Sequence, residues 1–323
     1  MKIAIIGAGF SGLATAYYLL KKGASVTLFE KAGKGENTSG SASGLLHPFP
    51  GFAARISMFE APCREKTLEL LEAATAFATG PIYDKEPLLR VMLSESQEKR
   101  FEYLLQERSD ISKALELPRI VRSGSSAYWI HSGITIYSKE YIKALYGLLT
   151  SLGALFINQE IKNIEELSCF DHTVLAAGFE AEKLIELPGF QKIKGQALVV
   201  NLSESYPSIL GKGYLAKTPN SGIYHLGSTY EHDFEKIEID AKKSILESAK
   251  EYLDTDLKIE GVKAGVRLAK RSSYLPFVSR ISEKLSIIGA MGSRGLLYHA
   301  FCGDLLAQNI MQDQLLDSHF SLA

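Results

Sequence analysis

Residues Met1-Lys-Ile-Ala-Ile-Ile-Gly7-Ala-Gly9-Phe-Ser-Gly12 open the chain and decide its fold. Ile3, Ala4, Ile5 and Ile6 read as a short buried strand. Gly7, Gly9 and Gly12 follow at G-x-G-x-x-G spacing, and a helical pattern runs from about Ser11 to Lys22. A second strand, Ser25 to Phe29, ends on Glu30. Together these make a complete βαβ dinucleotide fingerprint. Gly7 permits the tight turn, Gly9 lets backbone approach a pyrophosphate, and Gly12 lets the helix pack closely on the sheet. The free N–H groups at the helix start attract phosphate. Glu30 is spaced to accept hydrogen bonds from an adenosine ribose. Its charge repels a 2′-phosphate and disfavours an NADP-type ligand. The expected dinucleotide contacts are Gly7, Ala8, Gly9, Phe10, Ser11, Gly12, Glu30 and Lys31. A glycine-rich turn without a ligand would share the glycines, but it needs neither the acid nor the flanking strands. A secretory signal is disfavoured because glycines break the apolar run and its basic flank is minimal.

The 323 residues can hold one large α/β domain or two interleaved ones, and an apolar fraction of 46% supports a sizeable core. Lys and Arg (36) nearly balance Asp and Glu (37), so no global field selects nucleic acid or an anionic membrane. No apolar run approaches a membrane span. The three cysteines, Cys63, Cys169 and Cys302, are odd in number and far apart. They point to a reduced, cytoplasmic setting without a disulfide framework. No C-x-x-C occurs, which argues against dithiol reductases, and no metal-ligand cluster stands out among the seven histidines.

Further along, Gly33 to Gly44 reads as a loop and Ala61 to Ala78 as a helix. Leu88 to Leu93 reads as a strand, and Ser94-x-x-Gln97 as a capping box opening a helix toward Glu107. Helices are expected from Ser138 to Leu152, from Asp240 to about Leu253, and from Gly295 past Ile310. Strands are expected at Leu155–Asn158, His172–Ala177, Gln196–Leu202, Tyr214–Lys217, Ile223–Thr229, Val262–Leu268 and Leu285–Gly289. Asn220-Ser221-Gly222 reads as a hairpin turn between two of them. The nucleotide-like segments lie at the start, middle and end, with β-rich segments between. Two interleaved domains follow: 1–80, 135–185 and 263–323 for the nucleotide, 81–134 and 186–262 for substrate.

Three more segments suit a flavin better than a nicotinamide. Ser39-Gly-Ser41-Ala42-Ser43-Gly44-Leu45 offers small side chains and free backbone N–H groups, and the apolar continuation Leu45-Leu46 argues for an ordered return into the core rather than a mobile linker. Val174-Leu-Ala-Ala177-Gly178 is a strand ending in small residues. Gly289-Ala-Met-Gly292-Ser293-Arg294-Gly295-Leu296 precedes the last helix, whose positive end could stabilise the charge of a reduced flavin. Taken alone, the second could be one of the many α/β strands that end in glycine, and the third a plain strand-to-helix turn.

As an ordered set these segments resemble the D-amino-acid-oxidase superfamily of FAD enzymes, which includes glycine oxidase and sarcosine oxidase. Gly-Tyr-Leu (213–215) and Gly-Ser-Arg-Gly-Leu (292–296) most resemble the oxidoreductase domain of the bifunctional enzymes that make 5-methylaminomethyl-2-thiouridine in tRNA. The resemblance also covers Lys194-Gly195-Gln196, Leu226-Gly-Ser-Thr229 and Gly265-Val-Arg267. It implies an α/β fold: a FAD-binding Rossmann domain of glutathione-reductase-like topology, interleaved with a mixed or antiparallel-sheet substrate domain over the flavin. It implies oxidation of the C–N bond of a small amine or amino acid, with hydride passing to flavin N5. The acceptor that reoxidises the flavin would be O2 or another oxidant. The chain departs from the tRNA enzymes in carrying no methyltransferase segment and no basic enrichment, so charge does not favour tRNA.

Superfamily substrates usually carry a carboxylate beside the amine, and an arginine fork suits it. The resemblance gives that role to Arg267 and Arg294, where the alternative is a salt bridge. Tyr214 and Tyr230 lie on the substrate hairpin and are candidates for substrate positioning, or else amphipathic sheet residues. His47 could approach the flavin, but nothing local marks it for covalent attachment, so non-covalent FAD is expected. Cys302 reads as core and Lys270-Arg271 as a solvated turn. Three readings stand: amine or amino-acid oxidoreductase, tRNA wobble-uridine enzyme removing a carboxymethyl group, and non-catalytic flavoprotein.

Overall fold

A computed structural model describes residues 1–232, 240–254 and 257–321. The amino-terminal half runs β1 (Lys2–Ile6), α1 (Phe10–Lys21), β2 (Ser25–Glu30), β3 (Leu45–Leu46), α2 (Glu60–Thr75), β4 (Tyr83–Asp84), β5 (Leu88–Val91), α3 (Glu95–Glu107), β6 (Ile111–Lys113), β7 (Ala127–Ile130), β8 (Ile134–Ile136) and α4 (Ser138–Ser151). It continues through β9 (Leu155–Asn158), β10 (His172–Leu175), β11 (Phe190–Asn201), β12 (Ile209–Leu210), β13 (Tyr214–Lys217) and β14 (Ile223–Gly227). Last come α5 (Ala241–Ala249), β15 (Lys258–Lys270), β16 (Phe277–Ser282), β17 (Leu285–Gly289) and α6 (Gly295–Gln312).

Three sheets form. A six-stranded sheet has the order β16-β17-β10-β1-β2-β9. Its strands are parallel except β16, the pattern of a doubly wound dinucleotide fold. β1 is a continuous apolar run because helices cover the sheet; Ile3, Ala4 and Ile5 are fully buried. The largest core cluster lies among α1, α2, α4 and α6, around Leu13, Leu145 and Leu306.

An eight-stranded mixed sheet has the order β15-β11-β14-β13-β12-β5-β7-β6. One side buries Leu198, Val200, Leu215 and Leu226 against α5. The other side, carrying Tyr214 and Arg267, faces the loops of the first sheet. β11 and β15 are longer than their apolar patterns suggest, pairing from Phe190–Lys270 to Asn201–Lys258. Backbone hydrogen bonding carries them past their hydrophobic centres. A small sheet, β3-β8-β4, bridges the two large ones.

The N-terminus of α3 forms as its sequence indicates, with Gln97 N–H donating to Ser94 Oγ at 3.3 Å. The return bond shifts by one residue: Leu93 N–H, not Ser94 N–H, donates to Gln97 Oε1 at 2.8 Å. Ser94→Ala should lower stability by about 1 kcal/mol in urea unfolding. The helix after Asp240 ends at Ala249, before the expected Leu253. All three cysteines are free, and Cys302 is buried in the main core as its apolar helix face suggests.

Candidate active site

The nucleotide end is built from the turn after β1. Gly7 adopts φ +101°, and a Cβ there would stand 2.6 Å from Ala176 O. A Cβ on Gly12 would overlap the Gly7 carbonyl oxygen, so α1 lies against the turn itself. The N-cap of α1 is Gly9, which offers no capping side chain. Glu30 Oε2 accepts from Ala8 N–H at 2.9 Å and from Asn37 Nδ2 at 3.2 Å. A bare glycine turn, a helix start without a charged cap, and a carboxylate held at its mouth fit a dinucleotide's pyrophosphate and ribose.

Two residues expected here have their side chains engaged elsewhere. The Phe10 ring is buried against Tyr141 and His299, so only its backbone faces the turn. Lys31 pairs with Glu160 at 3.2 Å and with Glu180. Sequence reasoning missed Asn37, whose Nδ2 also donates to Ala8 O at 3.3 Å. It also left Ser39 without a task, although Phe10 N–H donates to Ser39 Oγ at 3.2 Å. The signal for both is an Asn and a Ser inside a Gly-rich loop after the acid.

That loop then rises to the large sheet. A Cβ on Gly265 would stand 2.7 Å from Ser41 Oγ and 3.2 Å from Thr38 Cγ2. Ser43 Oγ donates to Tyr214 Oη at 2.9 Å. Ala42 packs on the main core, Gly44 O accepts from Ile136 N–H at 2.7 Å, and Leu45 pairs with Thr135 in β3. The segment is therefore an ordered return into the core. Ala177 and exposed Gly178 follow β10 directly, beside Gly7.

The third segment closes the arrangement. Gly292 N–H donates to Leu268 O at 3.0 Å, and Ala269 bridges Met291. The glycine turn before α6 is thus tied to the strand carrying Arg267. Arg294 is the N-cap of α6, Ser293 is exposed, and Gly295 and Leu296 begin the helix beside Phe10.

Arg267 is half-buried, its guanidinium folded over Gly195 and 5.5 Å from the Tyr230 ring centroid. No carboxylate pairs with it among the described residues, and burial lowers its pKa. Burial raises the pKa of Tyr214, while Ser43 and the Arg267 charge oppose that rise. Arg294 lies 4.9 Å from the Tyr274 ring centroid. Tyr230 is 52% exposed. Among the described residues, therefore, Arg267 forms no salt bridge of the kind the alternative required.

His47 belongs to a different network. Its Nδ1 accepts from Phe49 N–H at 3.3 Å. Burial, with the Arg90 charge adding, pushes its pKa down to about 3, so it stays neutral. Lys270 and Arg271 are not simply solvated. Lys270 lies over the Phe277 ring, and Arg271 Nε donates to Phe190 O at 3.1 Å.

The family described as FAD dependent oxidoreductase (DAO) matches residues 2–309. The chain belongs to this family. It is an FAD-dependent oxidoreductase. Among curated relatives, it is 24% identical over 321 residues to the tRNA 5-methylaminomethyl-2-thiouridine biosynthesis bifunctional protein MnmC of Maricaulis maris, covering 96% of this chain and 52% of that one. The MnmC protein of Campylobacter jejuni subsp. jejuni serotype O:2 is 25% identical over 290 residues, covering 82% and 44%. The chain spans about half the length of these relatives. Among solved structures, glycine oxidase from Geobacillus kaustophilus aligns with TM-score 0.82 at 20% identity, covering 99% of this chain and 98% of that one. Iminodiacetate oxidase from Chelativorans sp. BNC1 aligns with TM-score 0.78 at 19% identity, covering 99% and 98%. L-proline dehydrogenase from P. horikoshii aligns with TM-score 0.79 at 18% identity, covering 97% and 94%. Family membership thus accounts for the FAD-type cradle, and the structural likeness establishes the fold. Among the described residues no helix is long and apolar enough to cross a membrane.

Proposed function

We propose that the protein oxidises the C–N bond of a small amine or amino acid of the N-substituted glycine type. The observation that carries this is Arg267. It is a half-buried cation without an acid partner among the described residues. It shares a sheet face with Tyr214 and is tied through Leu268 to the glycine turn before α6. Such a cation is costly unless an anion joins it, and a substrate carboxylate supplies one.

Bound non-covalently, FAD would supply the two-electron acceptor, taking a hydride at N5. Gly7, Ala8, Gly9, Ser11 and Gly12 would hold its pyrophosphate by backbone, and Glu30 its ribose. Ser41 to Leu45, Ala177, Gly178 and Gly292 to Leu296 would line the rest. Arg267 grips the substrate carboxylate, and Arg294, as N-cap of α6, adds positive charge beside it. Tyr214, held by Ser43, orients the substrate and narrows the space open to water. Tyr230 guards the mouth. No strong base is needed when the amine arrives neutral, because positioning supplies most of the effect. O2 or another oxidant would serve as the final electron acceptor. We also take the two domains as interleaved, with the last boundary moved from 263 to beyond Lys270, since β15 pairs with β11 along its length.

A second reading places the amine on tRNA. It is favoured by the match to the MnmC protein of Maricaulis maris over 96% of this chain. One experiment tests both. Purified holoprotein is mixed anaerobically with a panel of glycine derivatives and, separately, with modified tRNA. Bleaching of the visible flavin band by a small derivative is expected, with the flavin released by acid precipitation. Bleaching by tRNA alone would favour the second reading. A flavin that stays oxidised with all of them would overturn both and leave a non-catalytic flavoprotein.

A further inference from the structure

The sheet face that carries Arg267 and Tyr214 also holds a second basic pair. Lys263 lies four residues before Arg267 on β15, so both project to the same side. Across the ladder Lys263 pairs with Ala197, and Val199 of the same strand pairs with His225 on β14, which places His225 on that side too. Lys263 Nζ stands 3.0 Å from His225 Nδ1 and 3.4 Å from Nε2. Both residues are half-buried.

No carboxylate acts on either group among the described residues. Burial pulls the Lys263 ammonium down to about 8. Burial, with the Lys263 charge adding, pushes His225 to about 3. Edge-strand lysines commonly guard against strand addition by reaching into water. Lys263 instead turns onto the covered face, against another base. The neutral ring can accept one Nζ–H of Lys263, but the half-buried ammonium charge has no carboxylate beside it among the described residues and stays costly until a negative group joins it. An anion there accepts from Nζ–H and from a ring N–H at once.

The position adds a length. At about 3.3 Å per residue, Lys263 and Arg267 lie about 13 Å apart along the strand. Gly265 stands midway, covered by Ser41 and Thr38. The pair is therefore separate from Arg267, divided from it by the loop that rises to Tyr214.

We propose that Lys263 and His225 form an oxyanion subsite for a phosphate-type group, carried by the substrate or free in solution. The binding claim is independent of the amine-oxidation reading; only the substrate-borne source rests on it.

The test titrates holoprotein with inorganic phosphate by calorimetry at low salt, in an Arg267→Ala background so that Arg267 cannot be the site. Phosphate should bind there. Adding Lys263→Met, which keeps the aliphatic stem, should weaken binding by about tenfold or more, and Lys263→Arg should restore most of it. Retained FAD absorbance and melting temperature report that the Met variant is folded. In the second arm, flavin-bleaching affinities are compared with Arg267 intact, for glycine derivatives with and without a long phosphate-bearing tail. A tail that tightens binding only when Lys263 is present assigns the anion to the substrate. Phosphate binding without a tail effect assigns it to the free ion. Phosphate that binds equally well to the Met variant, or not at all to its parent, overturns the subsite.

Discussion

Arg267→Ala should keep its FAD and lose about 10²–10³-fold in kcat/KM for an amino-acid substrate. Removing one partner of a desolvated, hydrogen-bonded charge pair costs about 2–5 kcal/mol, and each 1.36 kcal/mol is tenfold in rate. The guanidinium lies over Gly195 with no carboxylate partner among the described residues. Its removal therefore strands no charge among the described residues, and the melting temperature should hold or rise slightly. Arg267→Lys should recover only part of the loss, because an ammonium cannot reproduce a planar bidentate fork. Steady-state kinetics with absorbance spectra on the same samples check this. Full turnover in the alanine variant would refute the carboxylate grip. Loss of flavin together with activity would mean that Arg267 serves the cofactor instead.

Gly12→Ala should yield a nearly colourless protein. A Cβ at that position overlaps the Gly7 carbonyl oxygen, and Ala176 Cβ lies 3.4 Å away. Helix α1 would have to move off the sheet, carrying its start away from the turn. Overpacking of this kind costs about 1–3 kcal/mol in stability. Flavin occupancy should fall further, by about tenfold or more, since the backbone N–H groups lose their aim. Gly153 makes the contrast. It has φ +91° but open space around it, so Gly153→Ala should cost only about 1–2 kcal/mol and leave the colour unchanged. The ratio of flavin to protein absorbance and the far-ultraviolet dichroism of each variant separate lost cofactor from lost fold. A yellow Gly12→Ala protein with unchanged melting would show that this close approach is dispensable.

Local signals explain what was legible beforehand. The strands β1 and β2 and the helix α1 have continuous or periodic apolar patterns bounded by glycine and an acid. Their pairing into a parallel sheet follows from the βαβ connection. The Ser94 cap and the Asp240 cap were readable because a capping side chain acts within three residues. The short strands β7, β8 and β16 were not readable. Their pairing energy comes from neighbours distant in sequence, such as Val91 against Ala127 and Phe277 against Gly289. The ends of β11 and β15 were missed for the same reason.

The candidate site divides along the same line. The glycines and Glu30 stood out by residue type and spacing, whereas Arg267 and Arg294 were singled out by the family resemblance and Tyr214 by its place on the expected substrate hairpin. For Phe10 and Lys31 the motif marks a backbone position, while the direction of each side chain depends on what packs around it. The Lys263–His225 pair had no local mark at all. It exists because β11 sets strands β14 and β15 on either side of itself.

By itself, then, the order of residues determined the βαβ unit, its glycine turn and the acid that ends β2, since each of these depends on spacing within a few residues. Only the tertiary structure decided which face of the large sheet receives Arg267, Tyr214 and Lys263. It also tied the last glycine turn to that sheet through Leu268 and left Arg267 without an acid partner among the described residues. The reason is physical. Strand register and desolvation are properties of segments brought together from far apart, and no short-range pattern records them.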